Sequence, residues 1–202
     1  LSSGISSTIN NAFVCKEEMQ EKYPDAEICV FDSICASGGH GLLIYHAIEN
    51  KKKGMSVTEN MQALEELKHR IVHKFTVDDL TYLQRGGRIS KTAAVIGGMI
   101  QLKPVLHVDT EGRLAAESKV RGRKKALNQL LAEMDICTGS YADKQDVVLI
   151  CHADCPEDAE YVRAKVEEKY HPNKIIMSEV GPIVGAHVGP GTMVLIFEGD
   201  KR

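Results

Sequence analysis

Residues 184–198 read V-G-A-H-V-G-P-G-T-M-V-L-I-F-E. Their second half, from Thr192 to Glu198, is a short apolar run of the kind that forms a strand covered on both faces. The first half is a loop of small residues around one imidazole, His187, interrupted by Gly189, Pro190 and Gly191. A loop that feeds a doubly buried strand belongs to an α/β fold, and the segments before it alternate in the same way. Residues 147–151 (V-V-L-I-C) and 174–180 read as two more strands, with a helix between them that Pro156 opens at its first turn.

Working back from there, residues 122–134 read as a helix with Ala126, Leu127, Leu130, Leu131 and Met134 on its inner face. Residues 102–109 and 114–120, joined through T-E-G-R, read as a β-hairpin. Residues 71–77 form an expected strand, 78–84 a short helix, and R-G-G-R (85–88) a tight turn. Residues 89–100 are small and apolar, with a double glycine at 97 and 98. Nearer the start, Ser56 and Glu59 have the spacing of a capping box, and Val57, Met61, Leu64, Leu67 and Ile71 follow the helical rhythm. Residues 7–22 and 38–53 read as helices, the first with Ile9, Phe13 and Met19 roughly along one face. Residues 27–31 (E-I-C-V-F) read as a short strand. A boundary near residue 72 divides the chain into a partial N-terminal α/β domain (1–72) and a complete C-terminal α+β domain (73–202). The chain starts without methionine, on L-S-S-G-I-S-S-T, which reads as a strand ending and a helix beginning. Residues upstream are therefore expected, and the lack of a signal peptide carries no information.

Composition excludes several classes. The chain has 202 residues, 43% of them hydrophobic, which suffices for one good-sized core or two small ones. No apolar run approaches the ~20 residues of a bilayer span, so stable membrane insertion is not expected. Net charge is −3, yet residues 85–125 hold ten lysines and arginines against three acids, a local +7. A basic belt on an acidic chain suits one anionic partner or a solvated helix face, rather than general nucleic-acid binding. Aromatic content of 5% and the absence of any recognised motif argue against a nucleic-acid module. The six cysteines (15, 29, 35, 137, 151, 155) form no paired clusters. Cys151-His152-x-x-Cys155 lacks the second half of a structural zinc site, so no metal is expected. Buried thiols in a reducing, cytoplasmic compartment account for them better.

No phosphate-binding loop of the G-x-x-x-x-G-K-[ST] or G-x-G-x-x-G type is present, nor the G-x-S-x-G nucleophile elbow. Three constellations remain. Ser2-Ser3-Gly4 stands at a helix start, where free N–H groups and hydroxyls either stabilise an anion or simply cap the helix. R-G-G-R-I-S-K (85–91) sets cations on flexible backbone, as a binding turn or a structural one. His187 is flanked by glycines at 185, 189 and 191, which packing alone does not require.

Taken in order, L-S-S-G-I-S-S-T (1–8), F-x-V-x-D-L-x-Y-L-x-R-G-G-R-I-S-K (75–91), K-V-R-G-R-K-K-A (119–126), H-A-D (152–154) and H-V-G-P-G-T (187–192) closely resemble the DegV family. That family includes the fatty-acid-binding subunits of bacterial fatty acid kinase. The resemblance implies a two-domain α/β protein that buries a long-chain fatty acid between its domains and needs no cofactor. It is then a non-catalytic binding protein whose ligand carboxylate is phosphorylated by a separate kinase subunit using ATP. It implies Ser3 as a carboxylate ligand beside Gly4, and His187 as the partner of the hydroxyl network. Gly97, Gly98, Met99 and Ile100 become candidates for the tunnel wall, and Arg88 and Arg121 for contact with the kinase. The chain departs from the family pattern at Ser6-Ser7-Thr8, where S-G-T is usual, and at Ile9, where an aromatic is usual. The rival reading makes Ser3 a nucleophile and His187 its base, in a lipid esterase or acyltransferase.

Overall fold

The computed structural model describes residues 1–90 and 102–202. Its centre is one six-stranded mixed sheet in the order β3-β2-β1-β6-β4-β5. The strands are β1 (Ile71–Thr76), β2 (Leu102–Val108), β3 (Leu114–Arg121), β4 (Val147–His152), β5 (Lys174–Glu179) and β6 (Met193–Glu198). Only β4 and β5 run parallel, and the other neighbours are antiparallel. The apolar runs V-V-L-I-C-H and M-V-L-I-F-E take central places because helices cover both their faces. The edge strands β3 and β5 are the exposed ones.

On one face lie α2 (Gly38–Lys52) and α3 (Val57–Leu67), whose Leu42, Leu43, Leu64 and Leu67 pack with Ile71, Phe75, Leu149 and Ile196. This hydrophobic cluster crosses position 72. On the other face, α5 (Arg123–Thr138) and α6 (Pro156–Tyr170) pack Leu130, Met134 and Val162 against Val72, Ile150 and Phe197. Two short helices, α4 (Thr81–Arg85) and α7 (Pro182–Val188), stand at one end of the sheet. The first helix, α1 (Thr8–Lys22), buries none of its side chains, so the face read from Ile9, Phe13 and Met19 is not a core face.

Three sequence expectations need correction. Residues 27–31 form no strand: a strand exists only beside a partner, and none of the described strands pairs with this segment. Ile71, read both in the helical rhythm of α3 and as the first residue of a strand, opens β1 and is no part of α3. His187 sits in a helix rather than a loop. Pro182 opens α7 in its first turn, and Gly189, read as an interruption, is its C-cap at φ +76°. The capping box of α3 is present in full, with Glu59 N–H donating to Ser56 Oγ and Ser56 N–H to Glu59 Oε2.

Candidate functional site: an apolar recess with a polar mouth

At the α4–α7 end of the sheet is a recess of about 120 Å³, lined almost wholly by apolar atoms. Its floor is Phe75 and Val194 from the central strands, and Val108 and Leu114 of the β2–β3 hairpin form one wall. Leu83 of α4 and the α7 residues Val184 and Val188 line the recess as well. The N-terminal loop closes the rim through Leu1, Ile5 and Ser6, joined there by Arg88 and His187. Ile183, 79% exposed, stands on the same rim.

Two ring-on-glycine contacts fix this end of the molecule. A methyl group on Gly86 would lie 2.1 Å from His187 Nδ1, so the imidazole rests directly on the backbone of the R-G-G-R turn. A methyl group on Gly189 would lie 2.6 Å from Tyr82 Cδ2, so the α4 tyrosine covers the end of α7. These glycines are spaces for rings, and the two sequence motifs are halves of one interlock. Arg88 folds back over the same turn, donating from Nη1 to the Gly86 carbonyl at 2.5 Å. Guanidinium and imidazole are thereby held on one rim.

The S-S-G motif divides its labour differently from expectation. Ser2 is the buried serine: its Oγ donates to the Gly112 carbonyl (2.7 Å) and accepts from Gly4 N–H (3.0 Å). A side chain on Gly4 would strike the Glu111 carbonyl oxygen at 2.7 Å, so Gly4 serves the docking of this loop on the hairpin tip. Ser3 is exposed, and its N–H donates to the Asp32 carboxylate at 3.1 and 3.3 Å. Burial alone would raise the Asp32 pKa, but hydrogen bonds from Ser3 and Ile34 hold it below the usual carboxylate value. Ser3 does not line the recess. It lines an adjoining outer groove with Gly4, Ser6 and Ser7, and Arg88 borders both spaces.

Ser6 and His73 are among the recess residues that were not singled out from the sequence. Ser6 lies on the rim, accepts from Thr8 N–H (3.3 Å) and shares a hydroxyl–hydroxyl bond with Thr8 (2.8 Å). The S-S-T run at a helix start was the available signal, and it was legible only as a departure from S-G-T. His73 lies deep on β1, fully buried, with Nε2 accepting from Ala36 N–H at 3.3 Å. Burial, and secondarily the Arg202 charge, push its pKa down to about 3, so the ring is neutral. Its signal was a histidine inside the apolar strand I-V-H-K-F-T.

Arg121 ends β3 opposite Leu102 and is exposed, away from the recess lining. Gly97, Met99 and Ile100 lie outside the described residues. No hydrogen bond links Ser3 or Ser6 to His187 among the described residues. Near the Cys151-His152 motif, Cys155 donates its N–H to His152 Nδ1 (3.4 Å) and its thiol to the Thr192 carbonyl (3.3 Å). Among the described residues no cluster of histidine, cysteine and acid side chains could hold a metal ion, and no helix is long and apolar enough to cross a membrane. What the site offers is an apolar recess with hydroxyl, imidazole and guanidinium donors at its mouth. Such a site suits an amphiphilic anion.

Residues 1–200 match the model of the DegV family, described as "Uncharacterised protein, DegV family". The chain is 41% identical over 201 residues to a DegV domain-containing protein of Clostridium perfringens, covering all of this chain and 68% of that one. It therefore spans about two thirds of that relative's length. A DegV family protein of Thermus thermophilus, described for fatty acid binding, superposes with TM-score 0.84 at 27% identity over 98% of this chain and 69% of its own. The fatty acid kinase B3 protein of Streptococcus pneumoniae, solved with linoleic acid, shares the fold with TM-score 0.90 at 21% identity over 99% and 70%. The chain belongs to the DegV family.

Proposed function

We propose that this protein binds a long-chain fatty acid and presents its carboxylate to a separate kinase. The observation that carries this reading is the apolar recess whose rim gathers Arg88, His187 and Ser6. The carboxylate would sit where recess and outer groove meet. Arg88 and His187 donate there, and Ser6 and Ser3 offer hydroxyls from the two sides. Fatty-acid binding by the Thermus thermophilus and Streptococcus pneumoniae relatives supports the ligand class. The kinase is supported more narrowly, by the fatty acid kinase name of the second relative and by the basic belt that contains Arg121.

About 14 methylenes at about 0.8 kcal/mol each give a gross transfer term of about 11 kcal/mol, reduced by ordering and association costs. A recess of about 120 Å³ accepts only part of such a tail. Affinity resides mainly in the tail and orientation in the polar mouth. The division near residue 72, with the head-group side in residues 1–72, belongs to the same proposal.

Calorimetric titration with a long-chain fatty acid tests the site. Ser6→Ala and His187→Ala should each weaken binding by about 1–3 kcal/mol. The double variant should lose less than the sum, because both changes dismantle one network. Wild-type affinity in all three variants would refute the proposed mouth. Turnover of a p-nitrophenyl acyl ester that vanishes in Ser3→Ala would favour the esterase reading instead.

A further inference from the structure

On the far side of the sheet from the recess, Lys74 of β1 is 1% exposed. A buried ammonium requires a counter-charge. Its Nζ donates to both oxygens of Glu117 at 2.8 Å, with Glu133 of α5 at 3.9 Å. Gln129 steadies Glu133 through a 2.8 Å hydrogen bond. Glu117 is not an ordinary member of β3. Val105 lies opposite Ser118 and Leu106 opposite Ala116, so Glu117 is the additional residue of a β-bulge.

That bulge changes which side of the sheet each half of β3 faces. Leu114 packs with Leu106 in the cluster on the recess side, whereas Val120 packs with Val105 on the α5 side. In an unbroken strand, residues 114 and 120 would share a face. The extra residue at 117 therefore lets Leu114 line the recess while Val120 packs on the α5 side, and the Lys74–Glu117 pair holds the strand at the bulge itself. The same hairpin carries the Gly112 carbonyl to Ser2. Among the described residues its attachment to β1 is short, with three residue pairs (Lys74–His107, Phe75–Leu106 and Thr76–Val105).

We propose that Lys74 and Glu117 are a positioning pair: by holding the bulge, they set the Leu114 wall of the recess and the hairpin tip that anchors the N-terminal loop. Ligand affinity then depends on a charge pair that touches no ligand. This rests on the fatty-acid reading above.

The test compares Glu117→Gln, the uncharged swap Lys74→Met/Glu117→Leu/Glu133→Gln, and Val162→Ala, a core change in α6, which packs on β4, β5 and α5. Two quantities are read for each: amide hydrogen exchange at residues 112–116 in ligand-free protein, and fatty-acid affinity well below the melting temperature. Glu117→Gln should speed exchange at 112–116 and weaken binding by on the order of tenfold, as remote repacking can. The uncharged swap leaves none of the three charges unpaired and should return both quantities to within about twofold of wild type. Val162→Ala should lower the melting temperature and leave both unchanged. Wild-type exchange and affinity in Glu117→Gln would overturn the proposal. So would equal loss of affinity in Val162→Ala, which would reduce the pair to general stability. If the wild-type protein bound no fatty acid, the functional reading would fall, and exchange at 112–116 would still decide the positioning role.

Discussion

Replacing Gly86 by alanine adds one methyl group, and the structure specifies where it goes. Gly86 has φ −70°, a conformation open to alanine, so the backbone contributes no strain. The methyl would stand 2.1 Å from His187 Nδ1 and 3.0 Å from Cε1, against the ~3.5–4.0 Å of a normal carbon contact. The imidazole must move by more than an ångström. Overpacking of this kind costs about 1–3 kcal/mol of stability. A displaced ring also forfeits its hydrogen bond to the ligand, a further loss of about 1–3 kcal/mol in binding. Fatty-acid affinity should thus fall by roughly 5- to 150-fold. Gly87 supplies the control. It has φ +70° and nothing within 4 Å of an added methyl, so Gly87→Ala carries backbone strain of about 1–2 kcal/mol and leaves His187 in place. The assay is titration with a long-chain fatty acid for both variants, alongside thermal melts. Wild-type affinity in Gly86→Ala, or equal losses in the two variants, would refute the interlock.

Ser2→Ala should lower the melting temperature more than Ser3→Ala, because it leaves the buried Gly112 carbonyl without its donor at a cost of about 1–3 kcal/mol; the reverse order would contradict the roles assigned to the two serines. His73 is held neutral, its pKa falling from 6.5 to about 3 on folding, so its contribution to stability is full above pH 6.5 and is lost as pH falls toward 3. Denaturant midpoints of His73→Gln should therefore fall less steeply than wild type across that window, and an unchanged slope would count against a neutral ring. Arg121→Ala should slow phosphorylation of bound ligand at low salt while sparing lipid affinity, since exposed charges act mainly on association. A rate indifferent to both salt and this substitution would remove Arg121 from the kinase-facing surface.

The central strands were legible because V-V-L-I-C-H and M-V-L-I-F-E are apolar on both faces, and only a covered sheet accommodates such runs. The capping box of α3 was legible because it is local. Residues 27–31 were misread because a β-rich composition cannot supply a neighbouring strand. The helix around His187 was hidden because proline and glycine serve equally as breakers and as caps. At the candidate site, the sequence motifs name segments that the recess and the outer groove bring together, and the structure gives their serines different neighbours. Ser2, Ser3 and Ser6 are chemically alike, and only the hairpin tip, Asp32 and the recess distinguish them. The contact of Gly86 with His187 joins residues far apart in the chain, as does the pairing of Lys74 with Glu117. No local pattern encodes either. His73 illustrates the same point, since a strand histidine becomes a buried neutral ring only through what packs over it.

Whether this chain is a fatty-acid carrier is decided most directly by mass spectrometry of lipid released from the denatured protein after purification from a bacterial host. About one fatty acid per chain, of roughly 16–18 carbons, is the expected result. Protein that releases no acyl chain, and takes up none when challenged with a long-chain fatty acid, would contradict it.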